Sequence, residues 1–138
     1  MTNEETKRWL NRGYKLNEEI NQLEAAKHAM FDRLTSITPA YDGETVSGTK
    51  DPHKYDAYFA YCADIDNRVN ELFDIKREIQ QTIAKVDDAK LRALLLGRYI
   101  NFMTFEQIAV NMSYDWRWIM RLHNQALNAV NEVLNKPY

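Results

Sequence analysis

From Thr2 to Leu34, apolar side chains recur at alternating steps of four and three: Trp9, Leu16, Ile20, Leu23, Met30 and Leu34, with Gly13 and Lys27 filling the missing steps. That spacing is a heptad seam, the stripe one helix presents to another. Thr2 followed by Glu5 supplies a capping box at its start, and Gly13 is the only helix-weakening residue before Leu34. A second seam runs Tyr58, Cys62, Ile65, Val69, Leu72, Lys76, Ile79, Ile83 and Val86, again in steps of four and three. Between them, residues 35–53 hold two of the three prolines and two of the four glycines, so a loop is predicted there. Two helices of roughly 45–50 Å joined by that loop predict a long antiparallel helical hairpin over residues 1–86, with coiled-coil character. Its register follows from the two seam lysines. Setting Lys27 against Cys62 places Lys76 opposite Gly13 and Ile20 opposite Val69. Each lysine stem then meets a small partner while its ammonium reaches water.

After Val86 the period shortens into three smaller helices. Asp87-Asp88 can close one helix and cap the next, whose apolar face is Leu91, Leu94, Leu95 and Tyr99. Thr104 caps a short helix that turns Ile108, Ala109 and Met112 inward. Ser113-Tyr114-Asp115 makes a turn, and Asp115 caps a last helix, with Tyr114 and Ile119 placed as a hydrophobic staple. Projected at 100° per residue, that helix gathers Ile119, Leu122, Ala126, Val130 and Val133 on one side. Arg117, Arg121, Asn124 and Asn128 lie opposite, flanked by Trp116 and Met120 on one edge and by Trp118 and Gln125 on the other. The expected fold is all-α, a hairpin over 1–86 followed by a helix-turn-helix over 87–138.

Composition and charge change this picture only a little. The chain has 138 residues, 45% hydrophobic and 28% charged, which suits a folded protein. No apolar run approaches the roughly 20 residues needed to span a bilayer. MTNEETKRWL lacks the apolar core of a secretory signal, and Cys62 has no partner for a disulfide, so a cytoplasmic protein with no membrane association is expected. Net charge is −2, with −3 on residues 1–86 and +1 on residues 87–138. Nucleic-acid affinity would therefore depend on a local cluster and not on a bulk field.

Arg117, Arg121 and Asn124, with Trp116 and Met120 beside them, form the candidate DNA-binding set. Arginine and asparagine forks match guanine and adenine edges in the major groove, and a recognition helix offers its N-terminal turns to the bases. Catalytic chemistry finds no comparable constellation. His28, His53 and His123 fall on different segments without partners at metal spacing. Cys62, on a seam, is expected to be a buried structural thiol. Neither an enzyme nor a cofactor or metal site is expected. Tyr41, Tyr55, Tyr58 and Tyr61 cluster near the hairpin tip, as core or as a partner surface.

Residues 91–127 resemble sigma factor region four. Arg98-Tyr99, Thr104, Ile108-Ala109, Met112, Ile119 and Ala126-Leu127 stand at the places of that family's pattern. In that family the positions of Trp116, Trp118 and Met120 are usually charged or polar, a departure from reading of an ordinary promoter −35 element. With its N-terminal helices and Tyr-rich middle, the whole chain is similar to the ArpU/RinA-like regulators of bacteriophage late genes. The resemblance implies a transcription regulator acting on double-stranded DNA, with contact to RNA polymerase or a homodimer made through the hairpin. Two other readings stay open. One is a packaging-type DNA recognition subunit. The other is an interaction adaptor using Trp116, Trp118 and Met120 without touching DNA.

Overall fold

Four helix starts are set by short polar side chains, each satisfying amides that a first turn leaves free. Thr2 and Glu5 form a reciprocal capping box, and so do Thr104 and Gln107. Asp88 accepts from the Lys90 amide at 2.8 Å, and Asp115 from the Trp118 amide at 2.8 Å. In the computed structural model, which describes residues 2–36 and 52–136, these caps open α1 (Asn3–Leu10), α5 (Phe105–Met112), α4 (Ala89–Leu95) and α6 (Trp116–Asn135). The remaining elements are α2 (Arg12–Thr35), α3 (Asp56–Ile83) and a π-helical segment, Leu96–Ile100. The fold is all-α, with no strand among the described residues. Most of the loop expected over 35–53, and Tyr41 with it, lies outside the described residues. At its edges Thr35 still belongs to α2, and 52–55 form turns before α3.

The first helix departs from expectation. It ends at Leu10, and the chain turns at Asn11, two residues before Gly13. Gly13 itself is buried inside α2. The break is stabilised locally: Arg12 Nε donates to the Trp9 carbonyl at 2.9 Å, and its guanidinium lies 4.5 Å from the Trp9 ring centre. Breaking there frees α1 to pack on α6, burying Thr6 and Leu10 completely.

The chain accordingly divides into two compact units at places other than 86/87. A composite unit joins residues 1–17 to 72–138, and a middle unit comprises residues 18–71. The composite unit owns one contiguous core. It runs from Leu10 through Ile79, Ile83, Leu94, Leu95 and Tyr99 to Ile108, Ile119, Leu122 and Val130. Arg92 pins the link between α3 and α4 by donating to the carbonyls of Val86 and Asp87 at 2.5 and 2.9 Å. In the same unit Phe102, at φ 57°, takes the space beside Gly13 that had been expected for Lys76. A β-carbon added at Gly13 would lie 3.4 Å from Leu72, 3.5 Å from Phe102 and 3.8 Å from Ile75. The Lys76 ammonium instead stands 4.9 Å above the Phe102 ring, a cation–π contact, and Tyr14 meets that ring edge-on at 5.7 Å.

Within the middle unit the two helical stretches run antiparallel. Glu19 faces Arg68 at 3.8 Å, and the Phe31 and Tyr58 rings are 5.5 Å apart. Ile20 and Ile65 are its only buried hydrophobic residues among those described. Cys62 is half-buried rather than buried, because a two-helix pair closes around only one narrow stripe. The Lys27 ammonium lies near Cys62 and Tyr58 and pairs with Glu24 at 3.4 Å, which pushes its pKa up.

Candidate nucleic-acid interface

Three residues, Ser113 to Asp115, connect α5 to α6. Ser113 adopts φ 60° and ψ 39°, a left-handed conformation that costs a non-glycine residue some free energy. Two backbone hydrogen bonds hold it there. The Ser113 amide donates to the Val110 carbonyl at 3.2 Å, and the Tyr114 amide donates to Ala109 at 3.0 Å. Asp115 then resets the backbone to extended geometry and starts α6 with its side-chain cap. The direction in which α6 leaves the turn is thus set by local chemistry on both sides.

Packing from three directions decides which side of α6 faces out. Helices α1, α4 and α5 all lie against it. Ile119, Leu122, His123, Ala126, Leu127 and Val130 are buried by them. That arc is wider than the five-residue stripe expected from sequence. His123 and Leu127 are additional members, and Val133 is only half-buried. What remains outside is the candidate set. Trp116, Arg117, Arg121 and Asn124 are exposed, Asn128 continues their stripe, and Met120 is half-buried beside them. Trp116 is 51% exposed and Trp118 37%, and on the Trp118 side Tyr114 approaches edge-on at 6.4 Å.

Sequence reasoning left His123 without a role, and the structure provides one. Its Nε2 lies 2.6 Å from the Tyr99 hydroxyl, and Phe105 meets the imidazole edge-on at 4.9 Å. Burial pushes the His123 pKa down to about 4, helped by the nearby positive charges of Lys7 and Arg98. Burial also raises Tyr99 to about 12. A neutral imidazole can accept on Nε2 the proton that a neutral phenol offers, so the pair satisfies itself inside the core. The pair ties the π-helical segment to the middle of α6. Arg98 fixes the next stretch, donating to the Met103 carbonyl at 3.0 Å while its guanidinium stacks 4.1 Å from the Phe105 ring centre. Gly97 keeps the contact close, since a β-carbon there would sit 3.4 Å from Ile108 and 3.5 Å from the Met103 sulfur. The one available signal for His123 was its place beside Leu122 on the apolar arc. Its partner, 24 residues away, could not be read from spacing.

The charge distribution follows the two compact units. Residues 1–17 and 72–138 carry 13 Lys+Arg and 9 Asp+Glu, a net +4. Residues 18–71 carry 5 and 11, a net −6. The α5–turn–α6 surface therefore belongs to the basic unit, which the division at 86/87 had concealed. Among the described residues no helix is long and apolar enough to cross a membrane.

Compared with known proteins, the chain matches no curated protein and no solved structure. Residues 33–131, from the end of α2 through most of α6, match the family described as "Protein of unknown function (DUF1492)", and the chain belongs to that family.

Proposed function

We propose that this protein is a sequence-specific double-stranded DNA-binding regulator of transcription, with α5 and α6 as its helix-turn-helix and α6 entering the major groove. One observation carries the reading. The first turns of α6 present Arg117, Arg121 and Asn124 to solvent, directly after a three-residue turn, on a unit of net +4. Positive charge draws a duplex in, and forked side chains at a helix start discriminate bases. The similarity to sigma region four and to phage late-gene regulators extends the proposal to phage or prophage operons. It also makes RNA polymerase or a second copy of the chain a candidate partner of the remaining helices.

The test begins with selection of bound duplexes from a random library. Replacing Arg117 and Arg121 together with alanine should then lower affinity for the selected site at least tenfold, since each base contact is worth about 1–3 kcal/mol. Stability should change by no more than about 0.5 kcal/mol per residue, because both side chains are exposed. Equal binding by the double variant rejects the reading. The exposure of Trp116 and Trp118 supports a second reading in that event, a protein-interaction adaptor with Trp116, Trp118 and Met120 as contacts.

A further inference from the structure

Trp116 is the first residue of α6, and half of its surface is open to solvent. An indole so placed is held by its backbone more than by its neighbours. The Asp115 cap fixes the first turn, and no described ring packs on Trp116, whereas Trp118 has Tyr114 against it. Met120 follows one turn later on the same edge, about 6 Å along the axis, half-buried and so anchored at its base. Its unbranched thioether adapts to small apolar groups. Together the two side chains border the Arg117–Arg121 stripe with an apolar rim at the end of the helix that a recognition helix offers to bases. The polar stripe suits hydrogen-bonding edges, and the rim suits the one apolar group the major groove displays, a methyl on pyrimidine C5.

We infer that the juxtaposition of Trp116 and Met120 with Arg117 and Arg121 makes a composite reader of a guanine and a neighbouring 5-methylpyrimidine, the arginine taking the guanine edge and the rim taking the methyl. The inference rests on the proposed DNA-binding reading and deepens it. Thymine and 5-methylcytosine carry the same methyl in the same groove, so the chemistry names both.

The experiment uses the full chain and the duplex selected from a random library, resynthesised with deoxyuridine for thymidine at each position in turn, and separately with 5-methylcytosine for cytosine. Loss of one contacted methyl should weaken binding about three- to fivefold, the worth of one buried carbon. That loss should appear at one or two positions next to an arginine-dependent guanine. Trp116→Ala should erase the difference between the methylated and unmethylated duplexes, and Trp116→Phe should keep it. Both are exposed-site changes, and an unshifted thermal melt verifies folding. A loss with deoxyuridine assigns thymine, and a gain with 5-methylcytosine assigns the modified base. If the selected site depends on Arg117 and Arg121 yet is indifferent to every methyl, the inference is overturned while the DNA-binding reading stands. If no site is enriched, both fall.

Discussion

The composite unit and the middle unit are built from the same kind of helix yet differ in nearly every physical respect. In the first, helices meet α6 from three sides, and a contiguous core results in which Leu10, Ile79, Leu94, Leu95, Ile119 and Val130 have no solvent exposure at all. In the second, two helical stretches face each other. Ile20 and Ile65 alone are buried among its described apolar residues, and Phe31 and Phe59 remain 43% and 63% exposed. Their charges are opposite, +4 against −6. The whole-chain value of −2 describes neither. For a protein proposed to meet a polyanion, the lesson is that charge must be counted over the body that carries the surface, since fields act locally within about 8–10 Å at physiological salt.

The two cores should differ most in what a lost side chain costs. Ile119→Ala should cost about 2–5 kcal/mol, because neighbours on three sides cannot all collapse into the space left. Ile65→Ala should cost less, toward about 2 kcal/mol, since a site with few buried apolar neighbours relaxes more easily. Urea unfolding followed by circular dichroism gives the two losses, and amide exchange assigns each to its unit. Equal losses, or faster exchange in the composite unit than in the middle one, would show that the two cores do not differ in strength.

A smaller effect separates the units by pH. The unfolded His123 titrates near its ordinary value of 6.5, while in the fold it holds off protonation to about pH 4. Between those values the unfolded state binds the extra proton, so stability is fully present above about pH 6.5 and falls as pH drops toward 4. A depression of this size corresponds to about 3 kcal/mol. The loss should be confined to the composite unit and should flatten in His123→Leu, whatever that variant's stability at pH 7. A wild-type profile level from pH 7 to 4.5 in the composite unit would show that the Tyr99–His123 pair tolerates a charge.

What was legible in the chain was the chemistry that operates over three or four residues. The caps at Thr2, Asp88, Thr104 and Asp115 come from side chains bonding amides two or three places on, and each stands where its residue type predicts. The outward stripe of α6 was legible for the same reason, since helical periodicity alone places Arg117, Arg121 and Asn124 opposite Ile119 and Leu122. What escaped depends on partners distant in sequence. Asn11 carries no strong breaking signal. The chain turns there because α1 finds its burial on α6, more than 100 residues later. Tyr99 reads as one more apolar position until His123 is seen 2.6 Å from its hydroxyl. Phe102 follows the π-helical segment in a link that reads as loop, yet its ring fills the space beside Gly13.

The smallest expected effect concerns what holds the middle unit together. Arg68 reaches Glu19 at 3.8 Å and Glu71 at 3.7 Å, and all three side chains are about half exposed. Those distances and that exposure describe pairs screened by water and salt, worth about 0–1 kcal/mol in general. Alanine keeps the helical propensity of the site, so Arg68→Ala isolates the ion pairs and the packed stem of the arginine. The variant should lose no more than about 0.5 kcal/mol, and wild-type stability of this unit should shift by a comparable amount between low salt and 1 M salt. The readout is amide exchange across residues 18–34 and 56–71, which reports this unit even when the composite unit unfolds separately. A loss well above 1 kcal/mol that salt abolishes would mean the acidic unit is held by charge. The small apolar stripe of Ile20 and Ile65 would then be secondary, and the contrast between the units would become one of different forces rather than different amounts of the same one.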